Sequence, residues 1–429
     1  MFTFLTRLDV ILWDFIGLFI ILFVGIYLTI YSKFFQFKAL LRLKVYIRDL
    51  VASTEKNTQG TNPIKLYFAS VGGMIGLGNI VTVASVVTFG GPGSIIWLWI
   101  ASFLGMMIKY AEVYLGIKYR KRNNNGFNGG PMYYLMVAFK NKYLSVIVCI
   151  LLCIYGADVS QFLIITDTIV NTFSINRYLV ISVLIFFIIF VSIKGTKRFA
   201  TVCAVMMPPL ILGYIALGVW VIFDNFFCLP SIFSLIISSF FDPQSYVGGL
   251  ISGSLFLSAH YGVSRAVYSG DIGIGYDSII QSETQIIYPE KQARMSVFAL
   301  FTDSLICTIS ILILLFTGVW KIKGLQPSEY VISALKLYLP HVEYFMVTLF
   351  ILAGFTTITG YLVVGQKCAT YLNYKFGKVF YIIYSVVTFV FFSFYDQEQV
   401  ILIMSVSGGL LMVINLVGVF KLRKSIKFL

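Results

Sequence analysis

The chain has 429 residues, of which 59% are hydrophobic and only 12% charged. Soluble domains carry about 25% charged residues, and no water-soluble fold of this length could hide so much apolar surface, so lipid must be the solvent. The formal charge of +14 does not point to nucleic acid, because the basic residues are sorted by side of the membrane.

A spanning helix needs roughly 20 apolar residues. About eleven stretches qualify: 11–31, 66–89, 93–117, 143–171, 178–193, 202–223, 246–269, 295–319, 342–365, 378–394 and 398–420. The chain is therefore expected to be an all-α, polytopic, single-domain membrane protein. The first stretch lacks the short apolar core and small-residue cleavage site of a signal peptide and reads as a retained helix. With the amino terminus outside and the carboxyl terminus in the cytoplasm, the inner segments, including Lys56, hold 25 Lys and Arg residues. The outer segments, including Lys323, hold five. This is the positive-inside asymmetry, and the surplus charge implies contact with anionic lipid.

In chain order, residues 33–64 mix Phe34, Phe35, Leu40, Leu41 and Leu43 with basic residues, as an amphipathic segment on the inner membrane face does. The stretch Gly72-Gly-Met-Ile-Gly-Leu-Gly-Asn79 then carries four glycines inside an apolar run. Each glycine weakens a helix by about 1 kcal/mol relative to alanine. Unwound backbone at membrane depth is tolerated only where it lines a cavity or is buried in protein. A second such stretch, Ser269-Gly-Asp-Ile-Gly-Ile-Gly275, lies five spans later. A pair of glycine-interrupted segments in corresponding halves is a transporter signature; small residues also permit close helix packing, which is the blander alternative. Residues 118–142, 224–245, 270–294 and 320–341 read as loops.

A broken helix frees carbonyl oxygens that suit a hard cation and N–H groups that suit a carboxylate. Gly72–Asn79 offers both, and Thr356 and Thr357 add hydroxyls at membrane depth. Intramembrane polar residues are functional candidates by default. Asp158 and Gln161 share one helical face, and Asp303 reads either as structural or as a coupling site. Lys109 and Glu112, also three apart, read as a structural ion pair, His260 as an interior histidine with satisfied hydrogen bonds, and Pro208-Pro209 as a kink. The six cysteines show no metal or disulfide spacing. No catalytic triad or phosphate-cradling loop is present, so an enzyme is not expected.

The series Gly72 to Asn79, Phe89-Gly-Gly-Pro-Gly-Ser94, Lys109-Tyr-Ala-Glu112, Gly129-Gly-Pro-Met132, Pro243-Gln244 with Gly248-Gly249, Tyr261-Gly-Val-Ser-Arg265, Phe301-Thr-Asp-Ser304, Gly354 to Tyr361 and Gly365-Gln-Lys-Cys368 resembles the alanine or glycine:cation symporter family. The resemblance implies a leucine-transporter fold, with an extra helix at 11–31 before two inverted five-helix repeats, 66–223 and 246–420. It implies Na⁺-coupled uptake of a small neutral amino acid across a bacterial inner membrane. The implied Na⁺ ligands are the carbonyls of Gly72, Ile75 and Ala353 and the hydroxyls of Thr356 and Thr357. The implied substrate residues are Gly76, Asn79, Gln161, Gly273, Ile274, Gly275, Thr357 and Tyr361. No organic cofactor follows, and the oligomeric state is left open, monomer included. This chain departs from the family at Gly270 (usually Asn), Asp271 (usually Glu), Tyr361 (usually Trp), Gln366 (commonly Glu) and Asp158, where a carboxylate replaces an amide. Asp158 or Asp303 could carry a proton in an H⁺-coupled permease. A non-transporting sensor should have an extended soluble terminus, whereas only about ten residues flank the spans at each end.

Overall fold

The computed structural model describes residues 2–52, 59–123, 126–242, 255–322, 324–325, 327–395 and 398–428. Pro243-Gln244, Gly248-Gly249, Lys56, Lys323 and the first part of the 246–269 stretch lie outside the described residues. The chain is mostly helical. It begins with α1 (Thr3–Tyr31), α2 (Phe35–Leu41) and α3 (Leu43–Ala52). Leu41, Val45 and Phe37 are exposed while Phe35, Ala39 and Leu50 are buried, so α2 and α3 are surface helices with one anchored face, as the amphipathic pattern predicts.

The first interrupted segment is α4 (Pro63–Met74) followed by α5 (Gly78–Gly90), bent by 51°. Next come α6 (Ser94–Lys118), the hairpin β1 (Lys121–Asn123) and β2 (Gly126–Asn128), α7 (Pro131–Phe139), α8 (Lys142–Tyr155), α9 (Val159–Phe173), α10 (Arg177–Ser192), α11 (Thr196–Asp224) and α12 (Leu229–Phe241). The second interrupted segment is α13 (Leu255–Gly270) and the short α14 (Tyr276–Ile280). The remainder is α15 (Pro289–Thr317), α16 (Pro327–Leu335), α17 (Val342–Leu372), α18 (Gly377–Phe392) and α19 (Glu398–Lys421).

Among the described residues seven helical stretches are long and apolar enough to cross a membrane, with α8 and α9 counted as one (Lys142–Phe173), or eight with α4–α5 taken as one span, while 177–192, 226–241 and 377–392 are shorter apolar helices. Several loop expectations are revised. Residues 118–142 hold the hairpin and α7, and 224–245, 270–294 and 320–341 carry the short helices α12, α14 and α16. The 143–171 stretch is two helices, interrupted at Gly156–Asp158. Helix α11 runs on through Pro208 and Pro209.

Two scaffold helices position the breaks. Helix α6 packs against α13 and α15, and α17 packs against α4, α8, α9 and α11. The interrupted segments touch directly: the ring of Tyr276 fills the space a Cβ would need at Gly73 and at Gly360, and its hydroxyl donates to Ala69 O at 3.0 Å. Gly73 lets the two segments approach this closely, and Gly360 lets α17 close on the same ring.

Candidate functional site

The first break is held open by side chains. Helix α4 starts cleanly at Asn62, whose Oδ1 accepts from Ile64 N at 2.9 Å, and it ends where Ile75 leaves helical geometry at ψ 89°. Beyond it the main chain cannot make regular helical bonds. Asn79 Oδ1 accepts from Gly76 N at 3.1 Å and Gln161 Oε1 from Leu77 N at 3.2 Å. These amides replace the lost helical partners, as buried backbone groups require.

The second break is a turn in which Asp271, Gly273 and Gly275 have φ of 49°, 80° and 97°. Glycine takes that region freely and aspartate more readily than most residues. Tyr361 O–H donates to Asp271 Oδ1, so two of the five family departures form one hydrogen-bonded pair. Lys109 Nζ donates to Asp271 O at 3.4 Å.

The threonine pair on α17 faces the first break. Thr357 Oγ1 donates at 3.1 Å to Gly72 O and to Ala353 O. Thr356 Oγ1 donates to Ala353 O at 2.9 Å. A Cβ at Gly76 would lie 2.8 Å from Thr357 Oγ1 and 2.5 Å from Gln161 Oε1. Gly72, Gly76, Ala353, Gln161, Thr356 and Thr357 therefore converge at one point, with buried Ile75 at the break itself.

A cavity of about 500 Å³ opens beside them. Its wall includes Gly76, Asp158, Gln161, Asp271, Thr357 and Tyr361. Other expected residues stand outside it. Asn79 is fully buried and turned away, its Nδ2 donating to Asp303 Oδ1 at 2.5 Å. Ser269 Oγ donates to Asp303 Oδ2 at 3.1 Å, so Asp303 sits behind Asn79. The sites of Gly273 and Gly275 pack against Leu416, Met412 and Pro131, and Ile274 is fully buried; Asp271 faces the cavity in their place. His260, expected as a buried interior residue, stands on the cavity wall, its ring against Tyr261.

The Lys109–Glu112 pair is a second correction. Lys109 Nζ instead meets Asp277 Oδ2 at 2.8 Å, both side chains fully buried. Glu112 accepts from Asn415 Nδ2. Sequence reasoning also missed Tyr155, Tyr268 and Arg265 as wall residues; isolated tyrosines in apolar runs carry no signal for a cavity.

Interrupted helices meeting at a cavity fit a membrane transporter. The chain belongs to the sodium:alanine symporter family, which it matches over residues 1–428. It is 30% identical to an uncharacterized transporter of Haemophilus influenzae over 98% of this chain and 94% of that one. It is 27% identical to the probable sodium/glutamine symporter GlnT of Bacillus subtilis over 96% and 87%, and 28% identical to the sodium/alanine symporter AgcS of Methanococcus maripaludis over 81% and 78%. Its fold resembles that of MhsT, solved in complex with L-phenylalanine, with TM-score 0.53, 15% identity and coverage of 83% and 89%.

Proposed function

We propose that this protein is a secondary active symporter that couples inward Na⁺ movement to uptake of an amino acid by alternating access. The observation that carries the reading is Thr357. Its hydroxyl bridges Gly72 O on the first break and Ala353 O on the scaffold helix, and it also stands against Gly76. A cation among the carbonyls of Gly72, Ile75 and Ala353 and the hydroxyls of Thr356 and Thr357 would touch the same atom as a substrate at Gly76. Ion and solute then stabilise one another's binding, which is the thermodynamic content of coupling. An all-oxygen, uncharged ligand set suits a hard monovalent cation.

The substrate's carboxylate would face the N–H groups where α5 begins, and its ammonium the carbonyls and hydroxyls nearby. Alanine and glycine are the smallest solutes with those two groups. One inward Na⁺ at 100 mV supplies roughly 2.3 kcal/mol, about a 40-fold accumulation.

The proposed architecture is eleven spans: α1, then two inverted repeats of five, each opening with an interrupted segment. The count takes α10, α18 and α13 as spans beside the eight longer ones. The amino terminus is placed outside, following the loop charges. Trp13, His260 and Met404 on the cavity wall then lie toward the exterior, with Arg120 and Lys367 on the cytoplasmic side.

Reconstituted vesicles with an inward Na⁺ gradient and negative interior should accumulate labelled amino acids, and replacing Na⁺ with K⁺ should stop it. Uptake indifferent to Na⁺ would overturn the reading. The buried Asp303 carboxylate, hydrogen-bonded by neutral donors alone, favours H⁺ coupling as a second reading. Uptake driven by a pH gradient and lost in Asp303→Asn, with no Na⁺ requirement, is its signature.

A further inference from the structure

We propose that the cavity takes an α-amino acid whose side chain ends in a cationic nitrogen, with Asp158 as the group that holds that nitrogen. The proposal rests on the symport reading for its α-carboxylate and α-ammonium positions and adds the class of side chain.

Asp158 is 5% exposed and lines the cavity. Its carboxylate accepts from Gln161 Nε2 at 2.7 Å and from Ser160 Oγ at 3.3 Å. Both donors are neutral, and among the described residues no lysine or arginine forms an ion pair with it. A carboxylate removed from water without a counter-charge is strongly disfavoured, so a proton or a cation must neutralise it, and its place on the cavity wall puts it within reach of a cation carried by the solute. The other buried carboxylates differ. Asp277 has Lys109, while Glu112 and Asp303 are absent from the cavity wall. Asp271 reinforces the case: it lies on the same wall, is 3% exposed, and among the described residues its Oδ2 has no hydrogen-bond partner.

Aromatic faces supply an independent observation. Tyr155, Tyr268 and Tyr361 line the cavity, with Tyr155 and Tyr361 edge to face at 5.4 Å. Ring faces with nearby carboxylates are the usual surroundings of an organic cation.

Arg265 is the competing signal, because an acidic side chain could seek it. Its Nη1 and Nη2 are bound at 3.0 Å by Thr82 Oγ1 and Ser85 Oγ. Thr82 lies six residues beyond Gly76, roughly 9 Å along a helix. Asp158, by contrast, touches Gln161, which binds Leu77 N at the break. Both line the cavity, the carboxylate tied through Gln161 to the break and the guanidinium tied to α5 at Thr82 and Ser85.

The test is ligand binding to the purified full-length protein in Na⁺ buffer, by calorimetry or thermal shift, with L-lysine, L-ornithine, L-alanine, L-glutamine and L-glutamate. Lysine or ornithine should bind about tenfold or more tightly than alanine and glutamine, the scale of one charge-assisted contact. Asp158→Asn should lower the lysine-to-alanine affinity ratio by about tenfold, and Asp158→Glu, which keeps the charge, should retain the preference for lysine. A wild-type order led by alanine, glutamine or glutamate overturns the proposal even if the asparagine variant fails to fold. So does an unchanged ratio in that variant, or an effect confined to the pH dependence of uptake. Because binding is read without flux, lysine binding with no Na⁺-driven uptake would sink the symport reading alone. Na⁺-driven alanine uptake with no lysine binding would sink this one alone.

Discussion

On the side of the breaks that carries the basic loops, polar groups find partners within the chain. Lys109 meets Asp277, Ser70 Oγ donates to Asp277 Oδ1 at 2.5 Å, and Gln281 Nε2 donates to Ser70 Oγ at 3.1 Å. Gln292 Nε2 continues the series to Gln281 Oε1 at 3.0 Å, and Arg120 binds the carbonyls of Ser282, Thr284 and Ile286. On the cavity side, Asp158 and Arg265 are bound by neutral groups and, among the described residues, form no ion pair. The difference teaches how one chain divides its labour. The first region is a seal built on one buried ion pair and the hydrogen bonds around it, which tie α14 to α4 and α6. The second keeps charges unspent for something that arrives from outside.

The largest expected effect strikes the seal. Lys109→Met leaves Asp277 buried without its cation, and breaking such a pair costs roughly 3–5 kcal/mol. Thermal unfolding in detergent should show a large drop or no folded protein. Adding Asp277→Leu should recover much of the loss, because the stranded charge is gone. A single variant as stable as wild type would break the comparison. Next comes the contact between the breaks. In Gly73→Ala the new methyl would sit 2.1 Å from Tyr276 Oη, on a ring also pressed against Gly360. Overpacking of this kind costs about 1–3 kcal/mol, and uptake in vesicles should fall to background. Combining it with Tyr276→Leu should restore stability, which a melting curve would reveal.

The glycine-rich breaks and the threonine pair were legible because they violate local rules: a helix has no use for Gly72, Gly73, Gly76 and Gly78 together unless its backbone serves elsewhere. What sequence could not supply was direction and distance. Asn79 was expected in the pocket, but α5 resumes at Gly78 with a rotation that turns Asn79 toward Asp303 on α15. The turn residues Gly273 and Gly275 were expected to touch substrate, yet they pack against α19 and Pro131, and Asp271 at the start of the same turn does the facing. Glu112 shares a helical face with Lys109, but across that face Asp277 comes closer from a segment remote in sequence. The interruption at Gly156–Asp158 lies in apolar sequence with no proline and a single glycine, so hydropathy ran straight through it.

Smaller effects sharpen the contrast. Thr357→Ala removes the hydroxyl that joins Gly72 O to Ala353 O. One such oxygen is worth about 1.4 kcal/mol, so the Na⁺ concentration for half-maximal uptake should rise about tenfold. Thr357→Ser keeps the oxygen and should stay near wild type. An alanine variant with unaltered Na⁺ dependence would remove Thr357 from the cation site.

The smallest effect belongs to the ion pair between Arg177 and Asp167, whose side chains are 36% and 44% exposed. Water already solvates both charges, so their attraction nearly cancels against the cost of ordering them, and such pairs contribute about 0–1 kcal/mol. Arg177 Nη1 also donates to Ser393 O at 2.8 Å, a bond that survives loss of the carboxylate. Asp167→Asn should therefore shift the unfolding temperature by little and leave uptake intact. The same loss of one ionic partner is then severe at Lys109, whose partner is fully buried, and slight at Asp167, whose partner is exposed and keeps a second bond. Equal shifts for the two variants would mean that burial does not govern how this chain uses its charges, and the division into a sealed and a receptive side would fail with it.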